Sequence, residues 1–378
     1  MDEKLFDAFE YAIEAGNIEM FDLLAKDFDK FEQKDKNALL ERTVVAGPDT
    51  EFIQHVLDYG YDLNYKDDDG NTLLHFAAVS PHPETVRFFI SKGLDKEAKN
   101  NIDATPLCVA VKENENVEVL KVLIDGGCNI KATSHGGETL LITAAGLNPN
   151  PEITKFLLKQ GFDTEDRDDE GFTALLNAAS WQENVDVLSL LVDSGANIHA
   201  KSKKGNNLFH HAAFNRNAGV ARFISSAFKT SDVNNEGETS MEKVLAYGSS
   251  PDVLKLFLRK QKEEQVMTAA CNSNPEILET LIQCGYDPNT SDADGVTAIM
   301  IAAHCNENPD VISMLRYYHA IWNSADEDGR TVLHHAAANP EPAIYNWMLE
   351  DDDFKTLKDK EDSKGHKPEY YREHSDEF

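Results

Sequence analysis

The chain alternates short apolar runs with short polar stretches, and the spacing inside the runs is helical. In NPNPEITKFLLKQGFD, from Asn148 to Asp163, apolar residues stand at Ile153, Phe156 and Leu157, the i, i+3, i+4 positions of one helix face. Asn150 precedes a proline, which pushes it towards the extended backbone of an N-cap, and its side-chain oxygen can accept from a free amide of the first turn. Pro151 sits where a missing N–H removes nothing, and Glu152 places negative charge at the positive end of the helix dipole. Gly161 suits the left-handed position after the last turn. The pattern predicts a helix of roughly 10 residues, below the ~12–15 needed for stability alone, so it has to be buried against neighbours.

The same helix start returns as NSNPEILETLIQCGYD from Asn272, NENPDVISML from Asn306 and SSPDVLKLFL from Ser249. Asn116, Asn150 and Asn184, and then Asn274 and Asn308, stand 34 residues apart, and Gly93, Gly127, Gly161 and Gly195 keep the same step. Gly-x-Thr recurs at Gly70, Gly137, Gly171, Gly237, Gly295 and Gly329, with Gly205-Asn206-Asn207 a near match. Upstream of each proline-led helix lies a second pattern, as in DDDGNTLLHFAAVS (Asp67 to Ser80) and DEDGRTVLHHAAAN (Asp326 to Asn339). Asp and Gly make a tight turn, Thr caps the next helix, and Leu-x-x-Ala-Ala gives a helix with one small-residue side suited to close stacking. Each unit is turn, helix, turn, helix, and three phases with one period predict an all-α repeat solenoid.

These residues resemble the ankyrin repeat, whose signature D-x-x-G-x-T-P-L-H-x-A-A is matched best by GNTLLHFAA (Gly70 to Ala78), GFTALLNAA, GNNLFHHAA and GRTVLHHAA (Gly329 to Ala337), with DSGANIHAK (Asp193 to Lys201) matching the unit's end. Tetratricopeptide units share the period but lack the G-x-T-x-L-H turn. The usual ankyrin unit has about 33 residues; the extra residue here falls between the two helices, where N-P-E replaces G-H-x-E. The resemblance implies helix-turn-helix units joined by β-hairpin fingers, curved with a concave binding face. It covers nearly all of the chain: residues 1–34 as a degenerate capping repeat, 35–359 as about ten repeats, and 360–378 as a partial repeat with an acidic polar tail. One departure stands out. Between Ser250 and Asn274 the helix start repeats early, and LFLRKQKEEQVMTAA has neither Asp-Gly turn nor G-x-T, so a finger is expected to be missing near 258–268, beside the basic run Arg259, Lys260 and Lys262.

Charge narrows the partners. With 67 acidic and 36 basic residues the net charge is −31, which repels nucleic acid and acidic membranes and favours a basic protein partner. A composition 41% hydrophobic fits a folded soluble chain, and no apolar run reaches membrane-spanning length. The five cysteines, Cys108, Cys128, Cys271, Cys284 and Cys305, are odd in number, never C-x-x-C, and mostly within apolar runs; they read as buried reduced thiols, hence a cytoplasmic location, in its own cell or delivered into a host. A monomer is expected.

No G-x-S-x-G, P-loop, H-E-x-x-H or zinc-spaced Cys/His set occurs, so no catalytic residue, cofactor or metal is assigned. His75, His210 and His334 occupy the T-x-L-H position, where the resemblance implies hydrogen bonds bracing neighbouring turns; the doublets His210-His211 and His334-His335 are the competing metal reading. In the resembled family, finger tips and the residues after Ala-Ala line the concave face. That phasing assigns partner contacts to Asp68, Asp69, Asp169, Glu170, Phe172, Glu327 and Asp328 at tips, and to Leu147, Trp181, Phe214 and Asn215 at helix ends, with Leu147, Trp181 and Phe214 as an apolar anchor. The expected function is a non-enzymatic protein-binding scaffold, an effector or inhibitor in form. Two alternatives stay open: an acidic mimic of DNA that occupies a nucleic-acid-binding or host-defence enzyme, and a small-ligand receptor or enzyme with its site at 258–268.

Overall fold

A computed structural model describes residues 3–224, 232–248, 250–258 and 264–378. They divide into two compact units, Met1–Lys203 and Lys204–Phe378. The basic run Arg259, Lys260 and Lys262 lies outside the described residues.

The first unit is a succession of helix pairs. Glu3–Glu14 is followed by Ile18–Leu24, Gln33–Ala46 by Thr50–Leu57, Leu73–Val79 by Pro83–Ser91, Pro106–Glu113 by Val117–Asp125, Leu140–Leu147 by Pro151–Lys159, and Ala174–Trp181 by Val185–Asp193. First helices pack on first helices of the next pair, and second on second. Gly146 permits one close approach: a Cβ there would lie 2.4 Å from the Asn177 amide. The second unit pairs Leu208–Ala212 with Ala218–Ile224, Ser240–Tyr247 with Pro251–Phe257, Glu264–Ala269 with Pro275–Gln283, Ala298–Cys305 with Pro309–Tyr317, and Val332–Ala338 with Pro342–Glu350. Described residues form no β-sheet; single antiparallel bridges, such as Lys66 with Thr72, Thr133 with Thr139, and Ala325 with Thr331, close the hairpin fingers.

The helix starts are built as their residue types require. Asn150 accepts from the Glu152 amide at 3.0 Å with Pro151 in the first turn, and Asn116, Asn184, Asn274 and Asn308 cap in the same way. Thr239 and Glu242 form a reciprocal capping box. Gly171, at the finger turn, has φ +79, and a Cβ on it would come within 2.9 Å of the Lys203 amide nitrogen. In the finger of the next repeat upstream but one, that left-handed position is held by Asp103 at φ 58.

A second amide side chain, two residues before most caps, joins the repeats. The Asn148 amide donates to the carbonyls of Val111 and Asn114, both at 2.9 Å, which are orphan acceptors at the end of the preceding first helix. Asn114 does the same towards Ala78 and Ser80, and Gln182 towards Ala145 and Asn148. In the second unit Asn272 reaches Leu245 and Gly248, Asn306 reaches Ala270 and Asn272, and Asn339 reaches Ala303 and Asn306. All of these side chains are buried, so each ladder contact satisfies two carbonyls that water does not reach.

Leu258 ends one repeat and Glu264 opens the next helix, whereas hairpin bridges precede the first helices at Ser240 and Ala298. The C-terminal stretch is anchored at two aromatic residues. Tyr371 is fully buried with its hydroxyl on Asp362 at 2.5 Å, and the Phe378 ring lies 5.3 Å from His304 and under the Arg330 guanidinium at 4.4 Å. Among the described residues no helix is long and apolar enough to cross a membrane.

Candidate protein-binding surface

The ladder fixes the residue just before it, at or just past the end of each first helix, at a repeated place. In the first unit that column is Val79, Glu113, Leu147 and Trp181. Leu147 is 43% exposed and Trp181 61%, unusual for side chains of their size in a stack whose neighbouring residues are buried. In the second unit the column runs Phe214, Tyr247, Cys271, Cys305 and Ala338. Phe214 is half-buried and stacks on Tyr247 at 6.0 Å, and Tyr247, 61% exposed, faces out beside it. Asn215, next to it, is buried at the ladder position and accepts from the Asn217 amide at 2.7 Å.

The cysteines also depart from expectation. Cys108 and Cys128 are buried, and burial pushes the Cys128 thiol up to about 11. Cys284 is exposed, and Cys271 and Cys305 are joined as a disulfide with both residues exposed. Their apolar sequence context belongs to the helix, while their own position is its outer end.

Finger tips are tied to one another through the main chain. The Asn101 amide donates to Asp69 at 2.8 Å, Asp169 to Gly136 at 2.7 Å, and Lys203 to Glu170 at 2.9 Å; in the second unit Glu327 donates to Asp294 at 2.9 Å and Ser363 to Asp328 at 2.8 Å. The side chains of Asp68, Asp69, Asp169, Glu170, Glu327 and Asp328 are exposed. Asp328 is engaged, 3.2 Å from the Arg330 guanidinium. Phe172 is half-buried, and its amide closes the finger onto the Asp168 carboxylate at 2.7 Å. Between fingers and first helices of the first unit runs a groove of about 620 Å³ lined by Ile102, Val109, Leu147, Asp69, Glu113 and Glu138 among others. Ile102, 59% exposed, was not singled out from sequence because its finger carries Asp103 in place of the usual glycine.

The T-x-L-H histidines are structural braces. His75 Nδ1 accepts from the Thr72 amide at 3.1 Å, so its Nε2–H donates to the Ala104 carbonyl of the next finger at 3.0 Å. His334 repeats the arrangement between Thr331 and the His366 carbonyl, and His210 reaches the Glu238 carbonyl at 3.0 Å. Burial lowers the pKa of His75 and His334, consistent with neutral rings, and pushes that of His211 down to about 4. Among the described residues no group of three or more His, Cys, Asp or Glu side chains is placed to hold a metal ion.

Helix pairs, hairpin fingers and histidine braces in this order find their match in one family, described as ankyrin repeats (3 copies), which aligns with residues 40–134, 107–202 and 266–359. The chain belongs to the ankyrin-repeat family. Ankyrin repeats are protein–protein interaction modules. Relatives are similar over limited stretches. A transient receptor potential channel subfamily A member 1 homolog of Caenorhabditis elegans is 38% identical over 99 residues, 25% of this chain and 8% of the channel. A putative ankyrin repeat protein of fowlpox virus is 32% identical over 105 residues, 23% of this chain and 19% of its own length. Protein phosphatase 1 regulatory subunit 27 of Mus musculus is 34% identical over 64 residues, 17% of this chain and 41% of the subunit. The chain thus spans less than half of each of these relatives.

Proposed function

We propose that this ankyrin-repeat protein is a non-enzymatic scaffold that binds an extended basic segment of another protein, seating one apolar side chain of that segment against the first unit. The observation that carries the reading is the pairing of Leu147 and Trp181, equivalent and exposed in successive repeats, with acidic tips at Asp69, Asp169 and Glu170. Apolar anchors at such positions supply most of the binding energy, while charges of one sign raise the rate of encounter with an oppositely charged partner.

The test is selection of displayed random short peptides on the immobilised full chain. Enrichment of an aromatic or aliphatic residue flanked by Lys or Arg is expected, and Leu147→Ala with Trp181→Ala should weaken the winners more than about tenfold. Asp169→Lys with Glu170→Lys should slow association and reduce its salt dependence. Purely cationic winners indifferent to the Leu147 and Trp181 changes, with binding abolished by salt, would replace this reading with charge mimicry of nucleic acid.

A further inference from the structure

We infer that Cys271 and Cys305 form a reversible thiol–disulfide site that clamps the repeat built on Glu264–Ala269 and Pro275–Gln283 to the one that follows. Its support is independent of the proposed peptide-binding surface.

Three observations converge on this pair. The cysteines occupy the same place in successive repeats, 34 residues apart, with Cα atoms 5.6 Å apart, inside the range a disulfide spans. Asn306, immediately after Cys305, donates to the carbonyls of Ala270 and Asn272 on either side of Cys271, at 3.0 and 2.9 Å. The ladder therefore holds the two sulfurs in register whether or not they are bonded, so the bond can open and close without rebuilding the backbone. Both residues are exposed, which gives an external thiolate access, whereas Cys108 and Cys128 are buried.

The location gives the bond a task. Several finger tips donate a main-chain hydrogen bond to the finger before them, as Glu327 does to Asp294. The helix Glu264–Ala269 begins directly after residues 259–263, whose sequence lacks the Asp-Gly turn and the G-x-T of a finger. This repeat is joined to the next by helix packing, by the ladder, by hydrogen bonds such as those of Asn308 to Ser273 and Tyr318 to Glu279, and by the disulfide.

The chemistry balances with a small thiol such as glutathione as the co-reactant. Its thiolate attacks one sulfur, forming a mixed disulfide and expelling the other cysteine as a thiolate that takes up a proton. A second thiolate then attacks the mixed disulfide, releasing the oxidised small-molecule disulfide and freeing the second cysteine. The reverse sequence, driven by that disulfide, closes the clamp and returns two thiols to the pool.

The experiment equilibrates the full chain over a series of glutathione to glutathione-disulfide ratios, traps thiols by alkylation, and reads amide hydrogen exchange in parallel. Cys271 and Cys305 are expected to become alkylated together in one transition, while exchange over 264–283 accelerates several-fold and exchange over 140–159 stays unchanged. Cys271→Ser with Cys305→Ser should show the fast exchange at every ratio, and Cys284→Ser should leave the transition intact. Independent labelling of the two cysteines, a transition that disappears with Cys284→Ser, or exchange over 264–283 that ignores the ratio would overturn the inference. The trapping is read on the unsubstituted chain, so it decides between these outcomes even where a variant fails to fold.

Discussion

The two units solve one packing problem with different amounts of redundancy. In the first, the repeats from 67 to 201 are near copies: the ladder runs through Asn114, Asn148 and Gln182, and fingers meet through Asp69, Gly136 and Glu170. In the second, Asn207 replaces the capping threonine, Gly248 stands where a ladder side chain would be, no G-x-T precedes Glu264, and a disulfide spans two repeats. What survives in both is the helix pair and the amide-to-carbonyl ladder; even Gly248, without a side chain, still accepts from Asn272 at 2.8 Å. Fingers and braces reinforce the stack, whereas the ladder answers the unpaired carbonyls that every first helix leaves behind.

If that is right, the largest effect should come from removing a ladder donor where little else holds. Asn272→Ala strands two buried carbonyls and should cost about 3 kcal/mol, against about 2 kcal/mol for Asn148→Ala among reinforced repeats. Urea unfolding read with hydrogen exchange checks this, and equal costs would dissolve the distinction. Acid offers a second separation. Burial lowers the pKa of His211, His304 and His334 in the second unit, and of His75 in the first. Protons then bind the unfolded chain more readily, so stability is full above the unfolded value near 6.5 and falls as pH drops below it. His211, pushed down to about 4, should alone cost roughly 2 kcal/mol by about pH 5. Exchange protection at Leu208–Ala212, taken relative to the intrinsic rate at each pH, should be lost on acidification before protection at Leu140–Leu147 is.

Caps give a finer contrast. Asn150 both caps its helix and donates to the Glu115 carbonyl at 2.7 Å, while Ser250 caps with a 3.4 Å contact to Val253. Asn150→Ala should lower stability by about 1.5 kcal/mol and Ser250→Ala by roughly 0.5 kcal/mol in the same unfolding assay. At the bottom of the scale, Asp69→Asn and Asp169→Asn should change stability by less than about 0.5 kcal/mol, since the tip contacts use main-chain groups.

The readable features are those whose cause lies within a few residues along the chain. Asn-Pro-acid, the capping threonines and the finger glycines each act over one turn, so their roles follow from residue type alone. The histidine braces needed the family resemblance, because Ala104 lies 29 residues beyond His75. The ladder was present as periodicity, since Asn114, Asn148 and Gln182 share the step of the caps, but its meaning depends on which carbonyls the previous helix leaves open. Side-chain exposure was the least readable quantity. Leu147, Trp181, Phe214 and Tyr247 occupy equivalent positions, yet Phe214 is half-buried against Tyr247, a contact set by the following repeat. Cys271 and Cys305 read as separate buried thiols for the same reason: a pair one full period apart looks unrelated until the stack brings it together.

Joining tip to tip through the backbone leaves most of the carboxylates there without structural duty. Under the proposed reading, point substitutions there would change which partner is chosen while the scaffold beneath keeps its architecture.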